Sequence, residues 1–304
     1  MMEFTRERTE DGVTERLFDL TVAGESVPGV IWAPEDDKGP RPLVLMGHGG
    51  SQHKKVNTLA ARARRYAKAM GYAVAAIDAP GHGARVSPEE AARFAAEIQA
   101  RIAAGAGIGG DAAKAMTQRA VQAVPEWKAA LDAVQSLDFV GAGGPVGYWG
   151  VSMGTAIGVP FVAEEPRITA ALFGLAGLRD GASLLEAAAN RITIPIEFVF
   201  QWDDEVASRD GGIGLFNAFG SKEKTLHVNP GGHLGIPPFE SVSWERPRRQ
   251  SRPRPRRRRS SPARQKQAAM LRLPPRSPSR LPPRRPCAPR PYAFGDGCTS
   301  RSTG

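Results

Sequence analysis

Residues 145–154 read PVGYWGVSMG, and the fold of the whole chain can be argued from this short stretch. The apolar run 145–149 is typical of a buried strand, and helical spacing begins near Met153. Between them Ser152 stands in a tight turn, where the neighbouring glycines let the backbone pack closely. A serine in such a turn is exposed at the sheet edge, at a helix N-terminus that favours negative charge. The stretch predicts a nucleophilic Ser152; an ordinary Gly/Ser turn is the alternative.

Two kinds of segment alternate through the rest of residues 1–240. Continuous apolar runs predict buried strands, and the segments between them have helical spacing or loop composition. An Ala-rich stretch over 88–136 is mostly helical and is interrupted at Gly105–Gly110. This alternation predicts an α/β fold with a mainly parallel sheet and helices on both faces. The predicted strands lie at 15–21, 26–32, 42–47, 72–78, 145–149, 168–174, 195–200 and 224–228, and a further helix at 57–70.

A nucleophilic serine needs a base, and His233 is the predicted one. It closes the segment Asn229-Pro230-Gly231-Gly232-His233, which follows the strand-like run 224–228 and is a flexible turn suited to aiming a ring. The order serine, acid, histidine along the chain also favours it. The remaining histidines fit structural roles: His227 lies inside the strand, and His48, His53 and His82 adjoin glycine-rich turns.

The acid that orients the base should follow the preceding strand, where the chain reads Phe200-Gln201-Trp202-Asp203-Asp204-Glu205-Val206. Asp204 is the predicted acid because the fourth residue after such a strand usually projects back to the site, with Val206 anchoring behind it. Asp203 is the second candidate and is expected to cap the following turn. A solvated acidic loop is the alternative interpretation.

An oxyanion hole needs two backbone N–H groups, one of which comes from the residue after the nucleophile, here Met153. Gly50, in the glycine-rich segment after the run 42–47, is predicted to supply the other, with Gly49 as the alternative. The segment contains neither G-x-G-x-x-G opening a helix nor GK[ST], so a nucleotide site is not expected.

Taken in order, these motifs resemble the α/β-hydrolase superfamily. Within it, the N-terminal hairpin and the small helical insertion are similar to dienelactone-hydrolase-like and prolyl-oligopeptidase-like serine esterases, over about residues 10–240. Dienelactone hydrolases proper use a cysteine nucleophile, whereas this chain has Ser152, which favours a general carboxylic ester hydrolase. The motifs are His48-Gly49-Gly50, Asp78-Ala79-Pro80-Gly81-His82-Gly83, Gly150-Val151-Ser152-Met153-Gly154, Asp204 and His233.

The resemblance implies that residues 1–240 form a catalytic domain that cleaves a small-molecule ester through a Ser-His-Asp triad, without metal or cofactor. It also implies that the insertion 84–125 is a lid that determines the substrate. The Ala, Ile and Met content of the insertion indicates an apolar acyl pocket of modest size. A seryl peptidase or an acyltransferase of the same fold is the alternative activity.

Residues 241–304 differ sharply in composition from the rest. They hold 18 Lys/Arg, two Asp/Glu and 12 of the 26 prolines, for a net charge of +16, whereas residues 1–240 carry a net charge of −6. Such Pro/Arg/Ser-rich sequence is typical of disorder. Three interpretations stay open: a frame-altered end of a GC-rich gene, a neutral tail, or a basic arm that binds nucleic acid. The last would make the protein a nucleic-acid-binding protein; specific nucleic-acid binding is not expected.

Cysteine usage and hydropathy exclude further classes. Cys287 and Cys298 both lie in the tail, so neither a disulfide framework nor a thiolate metal site is expected in residues 1–240. The charged N-terminus lacks an apolar signal core, and no apolar stretch reaches the ~18–20 residues that cross a bilayer. A cytoplasmic protein without a membrane partner is therefore expected.

Overall fold

The chain folds around one mixed β-sheet, as the computed structural model shows. The predicted tail over 241–304 lies outside the described residues, and so does most of the predicted helix break at Gly105–Gly110. No helix in the described part of the chain is long and apolar enough to cross a membrane. The residues described are 2–36, 39–104, 110–179, 183–237 and 240.

The strands and helices alternate as the sequence predicts, and the α/β fold is confirmed. The strands are β1 (Met2–Glu10), β2 (Val13–Val22), β3 (Glu25–Pro34), β4 (Leu43–Gly47), β5 (Ala73–Ile77), β6 (Val146–Gly150), β7 (Ile168–Gly174), β8 (Ile196–Gln201) and β9 (Lys224–Asn229). The helices are α1 (Asn57–Met70), α2 (Pro88–Ala103), α3 (Gly110–Gln135), α4 (Met153–Glu164), α5 (Ser183–Arg191) and α6 (Arg209–Ala218).

Local chemistry explains two of the boundaries. Ala23 and Gly24, which join β2 to β3, both have positive φ, as a two-residue hairpin turn requires. Helix α1 ends at Gly71, whose left-handed conformation lets its N–H bond the carbonyl of Ala67. Strand β1 was not predicted, because its residues are charged and largely exposed and show no burial pattern.

The order of the strands brings the six loops after β4 to β9 to one edge of the sheet. The order is β1-β2-β3-β5-β4-β6-β7-β8-β9, and β4 to β9 run parallel. The carboxyl ends of these strands therefore meet at one edge, where α/β proteins place their sites. The loops that begin there carry the predicted catalytic residues Gly50, Ser152, Asp204 and His233, and Met153 is the first residue of α4, which follows the β6 loop.

Helices cover both faces of the sheet unequally. On one face, side chains of α3, α4, α5 and α6 form the larger apolar core with the strands. On the other face, α1 packs on β3 to β6. The larger core holds an aromatic cluster in which Tyr148 lies with its ring centroid 6.0 Å from Trp127, 5.9 Å from Phe161 and 5.7 Å from Phe173. This cluster anchors β6 directly beneath the turn of Ser152.

Glu15 on β2 is a buried carboxylate that joins the sheet to α1 and to the residues before it. Its oxygens accept hydrogen bonds from Trp32 Nε1 (2.7 Å), Lys55 Nζ (2.5 Å) and Arg64 Nη2 (3.0 Å). Burial raises the pKa of Glu15, but the hydrogen bonds and charges of these partners outweigh burial and lower the pKa below its ordinary 4.5.

We expect Glu15→Gln to lower the free energy of unfolding by about 2 kcal/mol at pH 7, because it removes a buried charge that accepts hydrogen bonds from three side chains. A carboxylate with a lowered folded-state pKa stabilises the protein above its unfolded value and loses that effect as the pH falls through the folded value. The difference from wild type should therefore shrink below about pH 4.5. Denaturant unfolding at pH 7 and pH 4 measures it, with the exposed Glu3→Gln as control. An equal loss at both pH values would contradict this assignment.

Candidate active site

Ser152 occupies a strained turn between β6 and α4. Its backbone has φ 57° and ψ −119°, and its N–H donates to the carbonyl of Gly174 on β7 (2.8 Å). Glycines are required on both sides of it. A Cβ on Gly150 would lie 2.7 Å from the carbonyl oxygen of Gly154, and one on Gly154 would lie 2.5 Å from that of Gly47. The turn therefore has the close backbone packing that the sequence predicts.

Thr155 holds this turn in place, and sequence reasoning missed it. Its fully buried hydroxyl accepts a hydrogen bond from the N–H of Gly174 (2.8 Å). The same oxygen lies 2.9 Å from the carbonyl oxygen of Gly150 and 2.7 Å from that of Gly174, so its proton has an acceptor on either strand. The sequence signal that could have predicted this role is a threonine three residues after Ser152, on the face of α4 that packs on the sheet.

The structure brings Ser152, His233 and Asp204 together in one hydrogen-bonded chain. Ser152 Oγ lies 3.0 Å from His233 Nε2. On the other side of the ring, His233 Nδ1 lies 2.9 Å from Oδ2 and 3.0 Å from Oδ1 of Asp204. An Nδ1–H that donates to the carboxylate leaves Nε2 free to accept the serine proton. These distances match the arrangement predicted from the sequence.

The three consecutive acids after β8 bind three different groups. Asp204 faces the ring, and its Oδ1 also accepts the N–H groups of Val206 and Ala207 (both 2.8 Å), which fixes the carboxylate. Asp203 accepts from the N–H of Gly231 at 3.3 Å. It therefore holds the turn that leads to His233, whereas the sequence expected it to cap the turn after itself.

Glu205 received no role from the sequence, yet it positions the base. Its Oε2 accepts the backbone N–H of His233 at 3.0 Å. A Cβ on Gly232 would lie 2.5 Å from the same oxygen, so glycine is needed for this contact. Asp204 thus orients the ring of His233, while Glu205 fixes its backbone.

The amides of Gly50 and Met153 are available for an oxyanion. Both residues line the cavity beside Ser152. In the part of the chain that the structure describes, neither N–H donates a hydrogen bond. The N–H of Gly49, by contrast, donates to Gln52 Oε1 at 3.1 Å, which favours Gly50 over Gly49 as the second donor.

Asp78 directly follows β5 and joins two loops: the loop after β4, which carries Gly50 and is called the oxyanion loop, and the turn after β5. Its completely buried carboxylate accepts the backbone N–H of Lys54 (2.8 Å), the ammonium of Lys54 (2.6 Å) and the N–H of Ala84 (2.9 Å). Lys54 has no motif around it and was missed. Because the residues after β4 are held at Lys54, the amide of Gly50 is kept in a fixed place relative to Ser152.

His48 is a structural residue of the same loop. Its buried ring accepts the N–H of Ala79 at Nε2 (3.0 Å), and its Nδ1–H donates to the carbonyl of Gly49 (2.8 Å). Burial lowers the pKa of His48 from 6.5 to about 4, with a smaller contribution from the charge of His82, against the raising effect of the Gly49 carbonyl. The ring is therefore neutral and links the loop after β4 to the turn after β5.

A cavity of about 560 Å³ opens beside Ser152 and His233. Apolar side chains make up most of its wall, with Leu59, Trp149 and Leu175 among them. The helical insertion contributes a further part of the wall through Phe94, Ala95, Ile98, Gln99, Arg101 and Met116. The insertion is thus placed to affect which substrate enters, and its role as a moving lid stays a prediction.

We expect the His48 ring to remain in the neutral Nδ1–H form down to about pH 5, because protonation would break its bond from Ala79 and charge a buried group. A folded pKa below the unfolded value of 6.5 means that stability is lost as the pH falls from about 6.5 to about 4. Proton–nitrogen correlation spectra between pH 4 and 8 measure the titration, and His48→Asn identifies the signal. A midpoint near pH 6.5 would show that the assignment is wrong.

Comparison with known proteins places this geometry in a family. No protein-family model and no curated protein matches the chain. A cold-adapted esterase from an Arctic intertidal metagenomic library, solved with polyethylene glycol, is 35% identical, with TM-score 0.63 over 80% of this chain and 97% of that chain.

Two more distant structures have the same fold. Acetyl xylan esterase 1 from Thermoanaerobacterium is 16% identical, with TM-score 0.56 over 80% of this chain and 86% of that chain. A putative dipeptidyl aminopeptidase IV from Bacteroides ovatus is 12% identical, with TM-score 0.59 over 79% of this chain and 35% of that chain. At these identities the likeness shows the fold alone. With the esterase at 35% identity over most of both chains, this chain belongs to the α/β-hydrolase superfamily.

Proposed function

We propose that this protein hydrolyses small carboxylic esters, with Ser152 as nucleophile, His233 as general base and acid, and Asp204 as the orienting carboxylate. The observation that carries the proposal is the chain of contacts from Ser152 Oγ to His233 Nε2 (3.0 Å) and from His233 Nδ1 to Asp204 (2.9 Å). The turn that holds Ser152 and the adjoining cavity add to it. The esterase at 35% identity supports ester substrates over amides.

In the first half of the reaction, Ser152 Oγ attacks the acyl carbon while His233 Nε2 accepts the hydroxyl proton. The electron pair of the carbonyl π bond moves to the oxygen, and the amides of Gly50 and Met153 donate hydrogen bonds to it. Asp204 stabilises the imidazolium that forms. His233 then gives its proton to the leaving alcohol oxygen as the carbon–oxygen bond of the ester breaks.

In the second half, water replaces the alcohol. His233 takes a proton from the water as its oxygen attacks the acyl carbon of the acyl-enzyme. Collapse of the second tetrahedral intermediate breaks the bond to Ser152 Oγ, which recovers its proton from His233. The product is a carboxylic acid, and the residues named supply every proton transfer without a cofactor.

The size and lining of the cavity favour a small-molecule substrate. At about 560 Å³ the cavity is in the ordinary range for small-ligand sites, and its largely apolar wall suits the hydrocarbon part of an ester. Because α2 and α3 contribute to the wall, substitutions in the insertion should change substrate preference more than they change the chemistry.

Ser152→Ala should abolish labelling by a fluorophosphonate probe and lower kcat for 4-nitrophenyl butyrate by at least about 10³-fold, because the nucleophile is removed. Ser136→Ala, at an exposed serine, is the matched control and should retain both properties. Intact-mass analysis of the labelled protein and steady-state kinetics provide the measurement. Labelling that persists in Ser152→Ala would exclude this serine as the nucleophile.

Asp204→Asn should lower kcat by at least about 10²-fold, because an amide neither fixes the Nδ1–H tautomer of His233 nor stabilises the imidazolium. Asp203→Asn makes the same chemical change one residue away and should stay within about threefold of wild type, since the side-chain oxygen of Asn can still accept the N–H of Gly231. Steady-state kinetics of both variants with 4-nitrophenyl butyrate decide between them. An equal loss in the two variants would reject Asp204 as the specific partner of the ring.

A further inference from the structure

Two arginines line the cavity that contains Ser152. Arg62 lies on α1, and Arg101 lies on α2 in the helical insertion, so the two come from separate elements. Among the described residues of the cavity wall, none has a carboxylate side chain. Cationic side chains in a largely apolar wall that holds no carboxylate favour an anionic ligand.

Arg62 is held in position by an aromatic ring. Its Cζ lies 5.0 Å from the centroid of Trp149, whose buried ring packs on the α1 face of β6, three residues before Ser152. A guanidinium over an aromatic face loses little freedom when it binds a ligand, because the ring already orients it. Its planar, forked N–H groups match the two oxygens of a carboxylate.

Within the part of the chain that the structure describes, the ionic partner of Arg101 is weak. Glu97 Oε1 lies 3.5 Å from its guanidinium, one turn earlier on α2, and the Glu97 side chain is 59% exposed. Exposed pairs of this kind contribute little, because water screens them. The charge of Arg101 therefore still acts on the cavity that it lines.

We propose that the preferred substrate is an ester that also carries a carboxylate, and that Arg62 and Arg101 bind this carboxylate. The inference rests on the proposed ester hydrolysis and adds the substrate class. Two like charges on one cavity of low polarity repel each other, and an anion between them relieves that repulsion. The two arginines therefore determine specificity, while the triad carries out the chemistry.

Binding can be measured without turnover by using the full-length Ser152→Ala protein. The probes are monomethyl glutarate and dimethyl glutarate, which differ by one methyl group and one charge. Ligand-observed NMR titration should give about tenfold tighter binding of the anionic ester. Addition of Arg62→Met and Arg101→Met should remove the difference, and Arg62→Lys, which keeps a point charge without the fork, should retain part of it.

Lys68→Met is the matched control, because it removes an exposed positive charge from the same helix and should leave the preference intact. Every variant retains the 18 basic residues of 241–304, so any binding of anions there cancels from the comparison. Equal binding of the two ligands, or a preference for the anion that survives in the double arginine variant, would overturn the proposal.

Turnover provides the second readout and separates the two proposals. The ratio of kcat/KM for 4-nitrophenyl hemiglutarate to that for 4-nitrophenyl pentanoate should fall about tenfold in Arg62→Met. If wild type cleaves neither ester, the proposed ester hydrolysis fails, while the binding comparison still decides the role of the arginines. If both are cleaved and the ratio does not change in Arg62→Met/Arg101→Met, the carboxylate site is wrong and the esterase assignment stands.

Discussion

The contact between the start of α4 and the end of β4 is the constraint on which the site depends. A Cβ on Gly154 would lie 2.5 Å from the carbonyl oxygen of Gly47, so the two backbones approach closely only because residue 154 is a glycine. In the adjoining turn Ser152 has a positive φ of 57°, a strained conformation that costs about 1–3 kcal/mol for a residue that is not glycine. The hydroxyl of Thr155 stabilises the turn, and so does the hydroxyl of Tyr148, which donates to the carbonyl oxygen of Gly154 at 2.7 Å.

The same approach couples the nucleophile to the oxyanion loop. Because the first turn of α4 packs against the end of β4, the amide of Met153 lies next to the loop that follows β4. Asp78 and His48 then fix that loop to the turn after β5 through buried hydrogen bonds. The groups expected to act on the substrate thus lie on loops, and every one of those loops is held by polar contacts with an adjacent loop or strand.

Acidic and basic side chains occupy different positions around the cavity. The carboxylates of the site point away from it: Asp204 towards the ring of His233, Glu205 towards backbone, and Asp78 towards Lys54. Positive side chains line the cavity instead. The acids therefore have structural and orienting roles, and the wall of the cavity is apolar with two arginines. The apolar composition of the insertion predicted the apolar wall but not the arginines.

Much of the fold and the candidate residues Ser152, Asp204 and His233 could be predicted from the sequence, because both depend on local signals. Strand and helix periods, the glycines around Ser152 and the order of Ser152, Asp204 and His233 are all properties of short segments. Strand β1 was not predicted, because an exposed edge strand does not show the alternation of buried and exposed residues that identifies a strand. The roles of Lys54, Thr155 and Glu205 were not predicted either, because each depends on a partner that is distant in sequence and is brought close only by the packing of the chain. The meeting of Arg62 and Arg101 at one cavity has the same cause: they lie on different helices, and the sheet order and the packing of the insertion decide that both line the cavity beside Ser152.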